Sequence, residues 1–394
     1  MSFIPYGRQS ISEEDIQAVV DVLKSDFLTQ GPEVPKFERA ITDYCGARFG
    51  VAVNSATSAL HIACLALGVG PGDTVWTTPN TFVASANCAL YCGASVGFVD
   101  IDPVTFNMSP DDLEAKLKVA KIEGKLPKVV IPVHFSGLPC NMKRIGGLAR
   151  EYGFAVIEDA SHAIGASYGD QKVGSCEYSD ITVFSFHPVK IITTAEGGLA
   201  TTQSEELAKR MQDFRSHGIT REAGRMTKPD EGGWYYEQLD LGFNYRMTEM
   251  QAALGTSQMK QIDRWIDRRH EIADAYDRML AHLPLILPVR DESSRSGLHL
   301  YVIQVDEKKT NMTRREAFDR LRAAGIGVNV HYIPVHTQPH YRAIETAPVS
   351  CPAAEHYYGR CISLPMFAGL TDAEQAKVVA ELEAIFGGQG VSRG

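Results

Sequence analysis

The segment ITVFSFHPVKIITTAEGGLAT, residues 181–201, decides how the rest of the chain is read. Apolar and β-branched residues fill Ile181–Phe186 and return at Gly198–Thr201, the composition of two buried strands. The loop between them, rich in proline, threonine and glycine, carries a single lysine, Lys190. On its own, that residue is also readable as an ordinary solvated lysine, because lysine is common on surfaces. An ammonium set at the end of an apolar strand, away from any charged face, nevertheless calls for a chemical reason.

Working outward, strands and helices alternate. Val51–Val53, Thr74–Thr78, Val96–Asp100, Val129–Val133 and Ala155–Glu158 read as strands. Ser58–Leu67, Val83–Tyr91 and Met142–Glu151 read as helices between them, and Ser12 as the N-cap of a first helix. This order predicts an α/β protein whose mostly parallel sheet is covered by helices on both faces. From Thr248 the pattern changes. TEMQ has the form of a capping box, and apolar residues recur at helical spacing as far as Tyr276, predicting one long helix leading out of the first domain. Beyond it, LHLYVIQV (298–305), a helix near 313–324, VNVHYI (328–333) and a last helix from Thr371 suggest a smaller α+β domain. The expected division is residues 1–262 and 263–394, with Pro288–Ser296 as a connector.

Composition narrows the function. The chain has 394 residues, 44% hydrophobic and 22% charged, which suits well-buried globular cores. A net charge of −9 argues against a protein that tracks a nucleic-acid backbone. The N-terminal MSFIPYGRQSISEED has no basic-then-apolar leader, and no apolar run is long enough to span a membrane. The eight cysteines are scattered without a CxxC pair, so reduced buried thiols in a cytoplasmic protein are expected.

Three further segments could carry chemistry. In NSATSALH (54–61) a strand ends, small residues turn and a helix begins near Thr57 and Ser58. Free amides and the positive end of the helix dipole make that a phosphate cradle, although Thr57 or Ser58 would serve equally as a plain N-cap. In FAVIEDASHAIGA (154–166) an apolar strand runs into Glu158 and Asp159, with His162 just beyond. The C-terminal ends of parallel strands are where open α/β sheets bind ligands, but Asp159 and His162 are also readable as satisfied structural groups. HYIPVHTQPH (331–340) offers His331, His336 and His340, not at the spacing of a zinc helix, and its prolines speak against any helix there. GVGPGD (68–73) precedes a strand instead of following one, so it reads as a turn and not a dinucleotide loop.

Together, a lysine, a strand-end aspartate and a phosphate cradle, to which Ser185 adds a hydroxyl, are the handles that pyridoxal phosphate requires. A partly desolvated ammonium has a lowered pKa, which suits a nucleophile and base.

Over nearly its whole length the chain also resembles the DegT/DnrJ/EryC1/StrS sugar aminotransferases. The motifs are SDFLTQGP (25–32), NSATSALH, TPNTFVASANCALYCGA (78–94), EDASHAIGA (158–166), SDITVFSFHPVKIITTAEGG (179–198), RSHGI (215–219), LGFNYRMTEMQAALG (241–255) and HYIPVH (331–336). The wording is most similar to the transaminases that make UDP-4-amino-4,6-dideoxy-N-acetyl-β-L-altrosamine for pseudaminic acid. The resemblance implies a fold-type-I, aspartate-aminotransferase-like fold and pyridoxal phosphate as cofactor. It matches Lys190 to the Schiff-base lysine, Asp159 to the pyridinium partner and Phe82 to the aromatic over the ring. His162 matches a residue near the cofactor's phenolic oxygen, while Thr57, Ser58 and Ser185 match phosphate ligands. Asn244 matches a ligand donated across a homodimer interface. Tyr6, Asp26, Phe27, Leu28, Thr29, Ala56, His331 and Tyr332 fall in segments that line the sugar-nucleotide site of similar enzymes. The one departure noted is Ile191, where relatives often carry proline. By family analogy L-glutamate donates the amino group, leaving 2-oxoglutarate, and a UDP-4-keto-6-deoxy sugar accepts it. Two rivals stand beside this reading, a non-catalytic regulator of the same group and a nicotinamide-dependent oxidoreductase. The second lacks the required GxGxxG turn.

Overall fold

The computed structural model describes residues 3–290, 293–344 and 349–387. Seven strands form the main sheet: β1 (Phe49–Val53), β2 (Thr74–Thr77), β3 (Ser95–Phe98), β4 (Val129–Ile131), β5 (Ala155–Asp159), β6 (Ile181–Ser185) and β7 (Gly198–Thr202). Their order is β1-β7-β6-β5-β4-β2-β3. Only β7 runs against the rest, pairing antiparallel with β1 and β6, so the sheet is mostly parallel as the alternation predicts. Most strand residues are buried because helices cover both faces, and separate buried clusters lie on the two sides.

Two strand pairings place the site. Ser185 and Val53 both lie opposite Gly198, so β6, β7 and β1 end level with one another. The chain leaves Val53, turns through Asn54 and Ser55, and enters the helix Ala56–Ala66 directly beside that edge. Gly198 is required there. A Cβ on it would sit 2.5 Å from the Ala56 amide nitrogen and 2.5 Å from the Ser55 carbonyl carbon.

A second core is built on a three-stranded sheet, β8 (Leu285–Ile286), β9 (Tyr301–Val305) and β10 (Cys361–Leu364), in that order and antiparallel. Helices Ile262–Leu280, Arg314–Ala323 and Asp372–Phe386 pack on it. Thr313 with Glu316, and Thr371 with Glu374, close reciprocal capping boxes that start two of these helices. Ile4 joins this core from the N-terminus, its N–H bonding the Gly325 carbonyl at 3.0 Å.

The structure departs from the sequence reading at four places. The capping box at Thr248 forms, but the predicted long helix is two, Glu249–Met259 and Ile262–Leu280. Lys260 closes the first with an i→i−3 bond to the Ser257 carbonyl, while Gln258 is tied to Ser10 and Asp15 of other segments. VNVHYI is not a strand. Asn329 makes one isolated bridge to Ser363 of β10, a strand that the sequence reading passed over together with helices Glu33–Cys45, Pro110–Glu123 and Glu205–Arg215. Prolines do not exclude helix near the histidines: Pro339 opens the short helix Pro339–Ile344, where its missing N–H costs nothing. Within Pro288–Ser296, residues 291 and 292 lie outside the described residues, and Ser294–Arg295 pairs with Ser167–Tyr168 instead of hanging free. All eight cysteines are buried and unbridged.

Gly198→Ala should lower the unfolding free energy by about 1–3 kcal/mol, the usual cost of overpacking a fixed backbone contact. Denaturant unfolding of the variant checks this, and an unchanged midpoint would contradict the close approach.

Candidate active site

Five elements converge at the C-terminal end of the main sheet. In FAVIEDASHAIGA, strand alternation sends the two carboxylates to opposite faces. Glu158 points away from the site, to His134 Nε2 at 2.7 Å and to the hydroxyls of Ser179 and Thr182. Burial pushes its carboxyl upward, but those partners overcome the penalty and hold it below the usual range. Asp159 faces the other side and is only 5% exposed. It accepts from Ser85 Oγ at 2.6 Å and from the Ser161 N–H at 3.0 Å, a carboxylate fixed in orientation from two directions.

Lys190 comes from the loop after β6, where its own N–H closes a turn onto the His187 carbonyl. Its ammonium makes no hydrogen bond or ion pair among the described residues. Burial lowers its pKa to about 8, with the charge of Asp159 opposing that fall. Phe82 stands 61% exposed just ahead of helix Ala84–Tyr91, the helix whose Ser85 grips Asp159.

The phosphate cradle differs from its reading in one respect. Neither Thr57 nor Ser58 is the N-cap; Ser55 is, with extended backbone and its hydroxyl accepting from the Ser58 N–H at 3.1 Å. Starting the helix two residues earlier, at Ala56, puts Ala56 and Thr57 in its first turn, where their amides have no intrahelical acceptor. Ser58 Oγ donates inward to Asn54 Oδ1 at 2.7 Å, while the Thr57 hydroxyl has no partner among the described residues. Ser185, opposite Gly198, adds its side chain at the same edge.

The segment that follows helix Arg314–Ala323 contributes His331 and Tyr332. His331 is buried, with Nδ1 2.7 Å from Ser363 Oγ, and burial together with the Lys190 charge lowers its pKa to about 3. Tyr6 lies beside it, ring centroids 5.6 Å apart. Tyr332 Oη is 3.0 Å from His162 Nε2. His162 is buried, and desolvation plus the charge of Lys190 hold it well below the ordinary imidazole range. Of the other sequence candidates, Ala56 opens the cradle helix, whereas Asp26, Phe27, Leu28, Thr29 and Asn244 are exposed on the surface of this chain. His336 is drawn to Glu355 at 3.0 Å, apart from this group.

Four residues escaped the sequence reading. Ser85 orients Asp159, and Ser136 bonds His162 through its backbone. His299 packs on His162 with ring centroids 4.5 Å apart. Arg269 is buried, its guanidinium bonded, among the described residues, to the carbonyls of Leu298, His299 and Met366. Of these, Ser85 lies in the predicted helix that follows Phe82, close in sequence to a residue already singled out.

A lysine amine, a strand-end carboxylate and a helix N-terminus around an open α/β sheet define a fold-type-I, pyridoxal-phosphate-dependent enzyme. The chain belongs to the DegT/DnrJ/EryC1/StrS aminotransferase family, whose model matches residues 9–383. It is 40% identical over 389 residues to the spore coat polysaccharide biosynthesis protein SpsC of Bacillus subtilis, covering 98% of each chain. It is 39% identical over 386 residues to the uncharacterized protein MJ1066 of Methanocaldococcus jannaschii, again covering 98% of each. Among solved structures it is similar to Helicobacter pylori PseC, an aminotransferase of pseudaminic acid biosynthesis. The TM-score is 0.89 at 31% identity, over 98% of this chain and 100% of that one. The PLP-form of the sugar aminotransferase Spr1654 from Streptococcus pneumoniae matches at TM-score 0.86 and 30% identity, over 97% and 98% of the chains. The donor set fits the cofactor: an unpaired amine, an oriented carboxylate, and first-turn amides with the hydroxyls of Thr57 and Ser185.

Because Lys190 attacks only when deprotonated, the rate at which apoprotein captures pyridoxal phosphate should climb through pH 8 and level off above it. Visible absorbance followed against pH checks this; a climb continuing toward 10.5 would mean an unperturbed lysine.

Proposed function

We propose that the protein moves an amino group from L-glutamate to C4 of a UDP-4-keto-6-deoxy-N-acetylhexosamine, UDP-2-acetamido-2,6-dideoxy-β-L-arabino-hexos-4-ulose, on the route to pseudaminic acid. The observation that carries this reading is the unpaired, partly desolvated Lys190 ammonium, which feels the charge of the oriented Asp159. Asp159 would hold the cofactor's pyridine nitrogen, the start of helix Ala56–Ala66 and Ser185 its phosphate, and Phe82 its ring. When bound, the cofactor supplies an electron sink and stores the amino group between two substrates. Lys190 takes the α-proton of glutamate and later delivers a proton to C4 of the sugar. Glutamate leaves as 2-oxoglutarate and the ketone oxygen leaves as water, so no outside oxidant or reductant is needed. Both substrates use one pocket in turn, giving ping-pong kinetics.

Tyr6, Asp26–Thr29, Ala56, His331 and Tyr332 are proposed to line the sugar-nucleotide side. The higher identity to SpsC than to PseC supports a second reading, a transaminase for another keto-sugar nucleotide at C3 or C4. Purified protein incubated with glutamate and a panel of keto-sugar nucleotides, with products identified by NMR, separates the two. Amination of none would end both. Lys190→Ala should lose the cofactor's visible absorbance and turnover together.

Asn244 is exposed, as are Phe82, Trp234 and Leu241, with Leu241 at 78%. These residues support a homodimer in which Asn244 reaches the partner's cofactor phosphate. Activity should therefore fall on dilution in step with dissociation seen by analytical ultracentrifugation. A fully active monomer would rule it out.

A further inference from the structure

Ser136 has a left-handed backbone, φ 62°, unusual for a residue other than glycine. Its surroundings enforce that conformation. Ser136 Oγ donates to the Leu300 carbonyl at 2.7 Å, and Gly137 follows at φ 101°, where a Cβ would meet Leu298 N at 2.6 Å and His162 O at 2.9 Å. Left-handed residues held by several contacts cluster at functional sites. Here the consequence is a single hydrogen bond: the Ser136 N–H points at His162 Nδ1, 3.2 Å away.

A backbone N–H only donates, so His162 Nδ1 must be the bare, accepting nitrogen and the ring proton must lie on Nε2. Nε2 is 3.0 Å from Tyr332 Oη, which therefore accepts. The hydroxyl's own hydrogen has no other acceptor among the described residues, so it is directed into the site. Tyr332 senses the charge of Asp159, and His162 that of Lys190, which sets the hydroxyl among the groups already described. His299 on the His162 ring, with its Nδ1 buried and unpartnered among the described residues, and the buried Arg269 add no acid that would draw a second proton to His162.

We propose that Ser136, His162 and Tyr332 form a one-way hydrogen-bond chain that presents the Tyr332 hydroxyl as a fixed donor to an electron-rich oxygen in the site. His162 is then a positioning residue and not a proton carrier. The recipient is either the cofactor's phenolic oxygen or the ketone oxygen of the sugar, the same acceptor chemistry from two sources. The activity arm of the test rests on the transaminase reading above; the tautomer arm does not.

Glutamine at 162 offers a carbonyl to accept from Ser136 and an NH2 to donate to Tyr332, but it cannot carry a proton. His162→Gln should keep kcat/KM within about threefold, whereas His162→Leu should lose about tenfold or more. Equal losses in both variants would overturn the proposal. Long-range 15N–1H spectra of histidine-labelled protein, with His162 assigned by its loss in His162→Gln, should show the proton on Nε2. A proton on Nδ1 would also overturn it, whatever the leucine variant does to folding. Tyr332→Phe separates the sources. A shifted visible band of the holoenzyme marks the cofactor oxygen, and a lowered kcat/KM for the keto sugar with an unchanged glutamate half-reaction marks the ketone. No change in either would refute the donor role.

Discussion

The site depends on one uncompensated charge. Lys190 is held where water is scarce and no carboxylate pairs with it directly, so its ammonium is weakened. A close ion pair would have raised the pKa and fixed the proton. Asp159 supplies an attraction that only partly opposes the weakening, and its two oxygens are engaged by Ser85 and the Ser161 amide. The same two bonds keep that carboxylate pointed at a fixed place, so the amine and the acid can grip opposite ends of one planar ring.

Around this pair the protein collects basic groups and keeps most of them neutral. His162, His299 and His331 are all pushed far down, first by burial and then by the positive charges nearby. Arg269, which loses least by staying charged, is stabilised by three carbonyls instead of an acid. A site of this kind suits anionic ligands, since a phosphate or carboxylate meets positive charge and helix amides without displacing an internal counter-ion. A net charge of −9 does not oppose this, because the local arrangement, not the total, sets the potential.

Much of the architecture was legible because it is local. The boxes at Ser12, Thr248, Thr313 and Thr371 each pair residues three apart, and all start helices. The lysine between two apolar strands and the carboxylates at a strand end were equally plain. Less legible was the cradle, since Ser55, Thr57 and Ser58 are all good caps and only the backbone dihedrals select Ser55. Pro339 hides the helix Pro339–Ile344 from a sequence reading, although the first turn tolerates a proline. Ser136 left no trace at all, because its contribution is a backbone N–H that any residue but proline possesses.

Residue order by itself determined the alternation of strands and helices, where most helices start, and which side chains could hold a cofactor, because these follow from neighbours within a turn or two of one another. It left two acids side by side at the end of β5 and favoured Asp159 without fixing where either carboxylate points. The tertiary structure turns Glu158 onto His134 and Asp159 onto Ser85, and it sets Tyr332 on His162 across 170 residues of chain. Such choices turn on burial and on hydrogen-bond direction between distant segments, and those exist only once the two cores have packed together.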